Sequence, residues 1–230
     1  MKKTGEIHPI QALILRDLLF KTEAKFSELN LSNDHFTFHI NQLLSLSLVE
    51  KNLNGHYQLT TPGKEFANRM DTEKVVMEKQ AKIGVLLVCI RKRGGKVEFL
   101  IHQRLKQPYF GFYGFHTGKI RWGETIEEAA SRELQEETGF TAKVTLVGIK
   151  HKMDYSKDNN LLEDKYFYTF RCTICKGVLQ ENFEGGRNLW LTKDEIRKLP
   201  NLFDGIEGTL QMAEKAKLSF SENKYIVSGY

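Results

Sequence analysis

The first part of the chain consists of short apolar stretches at helical spacing. Apolar side chains recur three and four positions apart over residues 10–20, which predicts an amphipathic helix. A short second helix is expected at residues 26–29. A turn with capping residues at 31–34 then leads into a third helix over about 35–46.

A hairpin and a further helix follow these three. Residues 48–51 and 56–59 flank Asn52-Leu53-Asn54-Gly55, whose Asn-Gly pair favours a tight hairpin turn. Another helix opens at Thr61-Pro62, because proline is well tolerated in a first helical turn. The order helix, helix, helix, hairpin, helix indicates a small, mainly helical domain over residues 1–80.

From residue 81 the pattern changes to strands. Residues 81–90 and 96–103 are apolar and rich in β-branched side chains, and they flank a basic hairpin turn at 91–95. The remaining predicted elements are strands at 143–152, 165–175 and 189–191, a helix start at 192–195 and an amphipathic helix at about 203–217. The pattern assigns no element to residues 219–230. A second, α/β domain is therefore expected over residues 81–230.

Length and composition indicate an ordinary cytoplasmic protein of two domains. The 230 residues are 40% hydrophobic and 27% charged, enough to bury a sizeable core. No apolar run approaches about 18 residues, and the first residues lack a signal-peptide centre, so no membrane segment is expected. Three cysteines, an odd number, favour a reducing compartment. Cys172 and Cys175 form an isolated CxxC, interpreted as strand positions because a zinc site would need two further ligands.

The segment 118–140 carries the most chemical information. One arginine and four carboxylates stand between two glycines at fixed spacing: Gly118, Glu124, Arg132, Glu133, Glu136, Glu137 and Gly139. Strong helix formers fill the stretch after Thr125. Thr125 and Glu128 match a capping box, and Gly139 is a natural helix stop. A helix over about 126–138 is therefore predicted.

Three glutamates of this helix share one face. Glu133, Glu136 and Glu137 stand at i, i+3 and i+4, while Ala129, Ala130 and Leu134 can serve the packed side. Like charges at this spacing repel by a few tenths of a kcal/mol per pair, so something must offset the repulsion. Hard divalent cations can do so, because magnesium prefers carboxylate, water and phosphate oxygens.

The segment resembles the Nudix box, the signature of magnesium-dependent hydrolases of nucleoside diphosphates linked to another moiety. Every fixed position of the box is filled. The resemblance implies a Nudix α/β/α sandwich with a mixed sheet across residues 81–217. It also implies Mg²⁺ or Mn²⁺ as cofactor and a nucleoside diphosphate derivative as substrate. Many family members carry Pro-Gly-Gly where this chain has His116-Thr117-Gly118, but the glycine is retained.

The resemblance also assigns roles to individual residues. Gly118 is expected in a tight loop whose backbone approaches the metal, and Glu124 is expected to pair with Arg132 and brace that loop against the helix. Glu133 and Glu137 are expected as metal ligands, with Glu136 as a ligand or a water-positioning partner. The assigned catalytic set is thus Glu124, Arg132, Glu133 and Glu136, and the metal set is Gly118, Glu133, Glu136 and Glu137. The general base is left open among Glu133, Glu163, Asp164 and Glu184.

The charge distribution is uneven and suits an anionic substrate. Residues 1–81 hold ten basic and ten acidic side chains, so the whole net charge of +5 belongs to the remainder. Basic side chains that could meet phosphates are Arg104, Lys106, Lys119, Arg121 and Arg187. Aromatic side chains that could stack a base or sugar, or pack in the core, are Tyr109, Phe110, Phe112, Tyr113 and Trp122.

The first domain resembles a winged helix-turn-helix domain, with residues 48–59 as the wing. Polar candidates for base contact on its third helix are His35, Thr37, His39, Asn41 and Gln42, and arginine and lysine are absent there. Zero net charge disfavours strong DNA binding, so nucleic-acid contact, homodimerisation and other protein contact stay open. Two functions follow: a working hydrolase, or a transcriptional regulator whose Nudix domain senses a nucleotide metabolite.

Overall fold

The computed structural model describes residues 7–29, 33–228 and 230. The chain divides into two compact units, Met1–Lys79 and Gln80–Tyr230. In the part of the chain that the structure describes, no helix has the length and apolar character that crossing a bilayer requires.

The first unit contains helices and two short hairpins. Its elements are α1 (Pro9–Leu19), a 3₁₀ helix (Phe26–Glu28), α2 (Asn33–Ser45), β1 (Val49–Lys51), β2 (Tyr57–Leu59), α3 (Thr61–Ala67), β3 (Met70–Asp71) and β4 (Val76–Met77). The expected second helix is thus only one 3₁₀ turn. The predicted turn at 31–34 includes Leu31 and Ser32, which lie outside the described residues, as does the side chain of His35.

Local signals explain how these elements begin and end. The β1–β2 hairpin turns through Asn52–Gly55, where the Gly55 N–H donates to the Asn52 carbonyl at 2.9 Å and Gly55 has a φ of 79°. Thr60 caps α3, because its hydroxyl accepts from the Gly63 N–H at 2.9 Å. The apolar face of α1, including Ile14 and Leu15, is fully buried. Each such side chain contributes roughly 1.5–3 kcal/mol through burial.

The second unit is a mixed sheet between two layers of helices. Its elements are β5 (Lys82–Arg93), β6 (Lys96–Arg104), β7 (Tyr113–Gly114), β8 (His116–Lys119), α4 (Ile126–Thr138), β9 (Thr141–Tyr155), β10 (Leu161–Lys176), β11 (Asn182–Phe183), β12 (Gly186–Leu191), α5 (Lys193–Arg197), α6 (Ile206–Lys215) and β13 (Ser219–Ile226). Within the described residues the strand order is β11-β12-β6-β5-β10-β9-β13, with β7 beside β6 and β8 beside β5. The β10–β5 and β13–β9 pairs are parallel and the others antiparallel.

The alternation of side chains along β5 explains why helices pack on both faces of the sheet. Val85 and Leu87 pack in the cluster that contains Leu134 of α4. The intervening Leu86 and Val88 pack in a second cluster, whose helical members are Ile196 of α5 and Leu210 and Ala213 of α6. Successive strand residues face opposite sides of a sheet. A strand whose odd and even positions are both apolar therefore needs a packed layer on each side.

The end of the chain differs from the expectation. Residues 219–226 form β13 in parallel register with β9, although the sequence pattern assigned no element there. The preceding helix is Ile206–Lys215, shorter than predicted, because Gly205 at a φ of 83° precedes its first turn. The pairing partner of β13 lies about 70 residues earlier, so no local pattern reveals it.

Candidate functional site

Helix α4 holds the acidic side chains in a fixed orientation. Thr125 caps its first turn, accepting from the Glu128 N–H at 3.3 Å, while the Glu128 carboxylate accepts from the Thr125 N–H at 2.8 Å. Gly139 ends it in the left-handed conformation, with a φ of 73°. Ala129 and Leu134 are buried as predicted. The opposite, polar face is therefore turned toward the loop after β8.

Arg132 joins this helix to that loop. Its Nε donates to Glu124 Oε1 at 2.7 Å, and its Nη2 donates to Glu124 Oε2 at 2.9 Å and to the Lys119 carbonyl at 3.0 Å. The bonds from Arg132, with one from the Arg121 N–H, lower the pKa of Glu124 to about 2. Glu124 and Arg132 thus form the brace expected between loop and helix.

Arginines offset part of the repulsion among the glutamates. Arg132 Nη1 lies 2.6 Å from Glu133 Oε1 and 3.1 Å from Glu136 Oε2. Arg121 Nη2 lies 3.2 Å from Glu136 Oε1. Helical spacing does not show the reach of the Arg121 and Arg132 side chains, so these arginines add to the metal ion that was expected in this role.

Gly118 lies in strand β8, not in the tight loop that was expected. It pairs with Val85 of β5, so its backbone is held by the sheet. A Cβ on Gly118 would lie 1.9 Å from Cδ of Glu133. The Glu133 side chain therefore rests directly on this backbone, and a glycine is required for steric reasons.

Glu137 presents a carboxylate oxygen without a partner. Its Oε2 is buried and has no hydrogen-bond partner. Burial first, and then the charge of Glu133, raise the pKa of Glu137 to about 8. An unsatisfied buried acceptor costs about 1–3 kcal/mol, more if it is charged. Among the described residues no three acidic, histidine or cysteine side chains already form a set that could hold an ion.

A cavity of about 580 Å³ opens beside these groups. Gly118, Glu133 and Glu137 line it. The basic side chains on its wall are Lys82, Arg104, Lys106, Lys119, Arg121 and Lys165. Four of the five basic residues proposed for phosphate contact are among them, and Arg187 is not. Glu136 also lies outside this lining, with a half-exposed side chain directed to the arginines.

A second cavity of about 150 Å³ adjoins the first, because both are lined by Arg104, Pro108, Thr117, Glu163, Lys165 and Phe167. Tyr109 and Phe203 give it aromatic walls. The Tyr109 hydroxyl donates to Asp154 at 3.3 Å. Of the other proposed aromatic residues, Phe110 and Trp122 are exposed, whereas Phe112 packs against Phe203.

Lys150 lines the second cavity. It is buried, and its Nζ donates to the Gly205 carbonyl at 2.9 Å and to Thr209 Oγ1 at 2.6 Å. Burial, with the nearby Lys152 charge, lowers the pKa of Lys150 to about 8. Lys152 forms an ion pair with Asp154 instead. The cavity therefore carries an ammonium whose hydrogen-bond acceptors are both neutral.

The candidates for general base separate in space. Glu133 and Glu163 line the larger cavity. Glu163 lies 2.7 Å from Lys82 Nζ and 3.4 Å from Lys165 Nζ; burial alone would raise its pKa, but the two lysines lower it. Asp164 Oδ1 lies 2.8 Å from Nε2 of His151, and neither Asp164 nor Glu184 lines either cavity.

Sequence reasoning missed several residues of the site. Lys150, Lys152 and Asp154 alternate along β9, and this period of two was a signal that they share a face. Asp204, which also lines the second cavity, follows no comparable pattern. Asn188 of β12 is hydrogen-bonded to residues that are far from it in the sequence, so no sequence signal could have identified it.

Comparisons with known proteins bear on the second unit. Residues 81–211 match the model of the NUDIX domain. A Caenorhabditis elegans protein named as a nudix hydrolase is 30% identical over 139 residues, which are 57% of this chain and 36% of that protein. An ADP-ribose pyrophosphatase of Methanocaldococcus jannaschii is 38% identical over 58 residues, 25% of this chain and 34% of that protein.

The fold of the second unit is also found among solved structures. The MutT protein of Bacillus halodurans superposes with a TM-score of 0.52 at 22% identity, covering 65% of this chain and 93% of that one. This likeness shows the mixed α/β fold. The chain spans about a third of the length of the two curated relatives.

Proposed function

Since this chain belongs to the Nudix hydrolase family, we propose that it hydrolyses a diphosphate linkage in a nucleoside diphosphate derivative, with Mg²⁺ or Mn²⁺ as cofactor. The observation that carries the proposal is the buried, unpartnered Oε2 of Glu137 in a cavity whose lining also includes six basic side chains. An acidic oxygen without a hydrogen-bond donor, next to groups suited to phosphate, is a place where a hard divalent cation would fit.

The available oxygen donors fit a hard divalent cation. Glu137, Glu133 and the Gly118 backbone would hold it, whereas the Glu136 carboxylate is paired with Arg121 and Arg132. When bound, such an ion neutralises phosphate oxygens and lowers the pKa of an attacking water. Glu124 and Arg132 keep the loop and the helix at a fixed separation, so we assign them a positioning role.

The basic wall supplies the rest of the phosphate site. Arg104, Lys106 and Lys119 surround the acidic end and can neutralise a diphosphate as charge develops on its leaving oxygen. Glu163 is our choice for the water-positioning carboxylate, because it is ionised and lines both cavities. Arg104 donates to two backbone carbonyls, Pro108 at 2.6 Å and Gln107 at 3.1 Å, so its guanidinium is already oriented.

The second cavity would receive the part of the substrate attached to the diphosphate. Its aromatic walls suit a planar ring, and Lys150 offers a donor to a carbonyl or ring nitrogen. Asp154 and Asp204 offer acceptors on the same lining. One similar protein is an ADP-ribose pyrophosphatase, so ADP-ribose belongs in the first set of substrates to be tested.

The test is release of product from a panel of nucleotides with Mg²⁺. The panel holds ADP-ribose, a sugar nucleotide, a dinucleotide and an oxidised triphosphate. Glu137→Gln keeps the shape of the side chain but removes its charge, and we expect kcat/KM to fall by at least about 100-fold. Glu127→Gln, on the exposed side of α4, is the matched control and should keep wild-type activity. Full activity of Glu137→Gln would contradict the metal assignment.

A second proposal concerns the first unit. The order α1, 3₁₀ turn, α2, β1–β2 hairpin, α3 supports a winged helix-turn-helix domain over residues 1–80. Two of the polar candidates for base contact are engaged inside this unit, however. His39 is buried and stacks on His8 with 4.2 Å between the ring centroids, and the Gln42 side chain accepts a hydrogen bond from Gln11. Exposed Thr37 and Asn41 are left as described candidates for base contact.

The regulator alternative and the hydrolase make different predictions for this unit. A regulator should shift a DNA probe in response to a nucleotide, and it should do so with Glu137→Gln as well as with the wild type. A hydrolase without that role should show turnover and no nucleotide-dependent shift. Sedimentation of the same samples with and without nucleotide tests the expected homodimer.

A further inference from the structure

Asn188 of β12 joins three segments beside the candidate metal site. The residue is 5% exposed. Its Nδ2 donates to the Glu137 carbonyl at 2.7 Å and to the Gln180 carbonyl at 2.8 Å. Its Oδ1 lies 2.6 Å from Nε2 of His116, a fully buried residue of β8. The amide therefore uses both its donors and its acceptor inside the protein.

The partners fix the orientation of this amide. Carbonyl oxygens can only accept, so the NH₂ group must face Glu137 and Gln180, and Oδ1 must face His116. His116 therefore donates from Nε2. Its Nδ1 is buried without a partner, as expected for the unprotonated nitrogen of that tautomer. A flipped amide would place an oxygen against two carbonyls, which excludes it.

The three partners of Asn188 belong to segments whose relative positions determine the geometry of the candidate metal site. The Glu137 carbonyl is in the last turn of α4, where carbonyls have no partner within the helix. His116 stands two residues before Gly118 on β8. Gln180 in turn donates from its backbone N–H to the Thr138 carbonyl at 3.0 Å. Asn188 thus connects the end of the acidic helix with the strand of the glycine.

We propose that Asn188 is a positioning residue for metal binding, a proposal that rests on the function proposed above. Its amide holds the backbone of Glu137 at a fixed distance from β8, so that the Glu137 carboxylate and the Gly118 backbone face the same point in the cavity. Glu137 has no side-chain donor on its buried Oε2, so its position depends on this backbone anchor. His116 acts through Asn188 by fixing the amide oxygen.

The experiment measures the Kd for Mn²⁺ by electron paramagnetic resonance on the full chain, together with the unfolding midpoint in urea. For Asn188→Ala we expect Mn²⁺ binding about 10–100-fold weaker than for the wild type, the usual effect of removing a residue that orients a ligand. Asn188→Asp has the same shape but cannot offer two donors to two carbonyls. It should therefore bind Mn²⁺ as weakly as Asn188→Ala, whereas a space-filling role would leave its Kd unchanged.

Asn52→Ala is the matched control. Asn52 also makes three hydrogen bonds, to Glu23, Asn54 and His56, but it lies in the first unit. Its removal should lower stability while leaving the Mn²⁺ Kd within about twofold of wild type. His116→Phe breaks the same link from its other end and replaces Asn188→Ala should that variant fail to fold. We expect the same loss of Mn²⁺ affinity from it.

The outcomes separate the two proposals. A folded Asn188→Ala or His116→Phe protein with wild-type Mn²⁺ affinity would overturn the role of Asn188 and leave the hydrolase proposal standing. A wild-type protein that neither binds Mn²⁺ nor turns over any nucleotide would overturn both. Weak binding by the Asn188 variants, with normal binding by Asn52→Ala, is the result that supports the inference.

Discussion

At the scale of single residues, two unusual ionisable groups of this protein line two adjoining cavities. Glu137 has a buried carboxylate oxygen without a partner, and Lys150 is buried with only neutral hydrogen-bond acceptors. Such groups destabilise a folded chain unless a ligand or a partner satisfies them. Ionisable groups with strongly perturbed pKa values, facing one pair of adjoining cavities, indicate a binding site more than a packing requirement.

Lys150 gives a pH dependence with a definite sign. Burial lowers the pKa of Lys150 to about 8 in the folded chain, whereas an unfolded lysine titrates near about 10.4. Between these values the unfolded chain binds more protons than the folded chain. The free energy of unfolding therefore rises with pH across that window, by on the order of 3 kcal/mol from this group.

Comparing the wild type with Lys150→Met in urea isolates this contribution. Methionine does not titrate, so the stability of the wild type relative to the variant should rise between about pH 8 and about pH 10.4. Lys143→Met, on an exposed position of the same strand, serves as control and should show no such relative gain. An equal pH profile for wild type and Lys150→Met would show that the folded ammonium is not destabilised.

At the scale of elements, local signals were sufficient for α4 and insufficient for β13. The capping residues Thr125 and Glu128 and the stop at Gly139 lie within a few positions of the helix they delimit, and the structure contains all three interactions. The strand β13 depends on a partner strand far away in sequence, so its polar residues carry no recognisable pattern. Asn188 was also not predictable from local signals, because its hydrogen-bond partners come from three separate segments.

The positions of the acidic groups were only partly predictable. Helical spacing placed Glu133 and Glu137 on one face, and both line the cavity. Spacing could not show that Glu136 turns to Arg121, because that contact spans 15 residues and depends on the loop after β8. Nor could it show that Gly118 is part of a strand, since its pairing partner Val85 belongs to another segment.

Gly139, at the end of α4, allows the cost of a left-handed backbone to be separated from the cost of a steric clash. Gly139 and Gly95 have nearly the same positive φ, 73° and 75°. A Cβ on Gly139 would lie 2.7 Å from the Val178 carbonyl oxygen, whereas a Cβ on Gly95 would meet nothing within 4 Å. Gly95→Ala should therefore cost about 1–2 kcal/mol of unfolding free energy, from the left-handed backbone alone.

Gly139→Ala should cost about 1–3 kcal/mol more than Gly95→Ala, because the methyl group must also displace the chain around Val178. Urea unfolding of both variants followed by the fluorescence of Trp190, which packs near Phe140, measures the difference. Equal losses would mean that the segment after β10 moves aside without cost.

At the scale of the whole molecule, the two units differ in charge and in chemistry. The excess of five positive charges belongs to the residues after 81, as do the cavities and all groups proposed to hold a metal ion. A ligand that binds only the folded state stabilises the unit that binds it, by about 2.7 kcal/mol at a hundred times its Kd. Mn²⁺ should therefore stabilise the second unit selectively.

Hydrogen exchange with and without Mn²⁺ tests this selectivity in the full chain. We expect slower exchange for buried amides of β5, such as Leu87, because their opening includes loss of the bound ion. Amides of α1, such as Leu15, should exchange at the same rate in both conditions, and Glu137→Gln should remove the effect on β5. Equal slowing in α1 and β5 would contradict a metal site confined to the second unit, and would require that the ion acts on both units together.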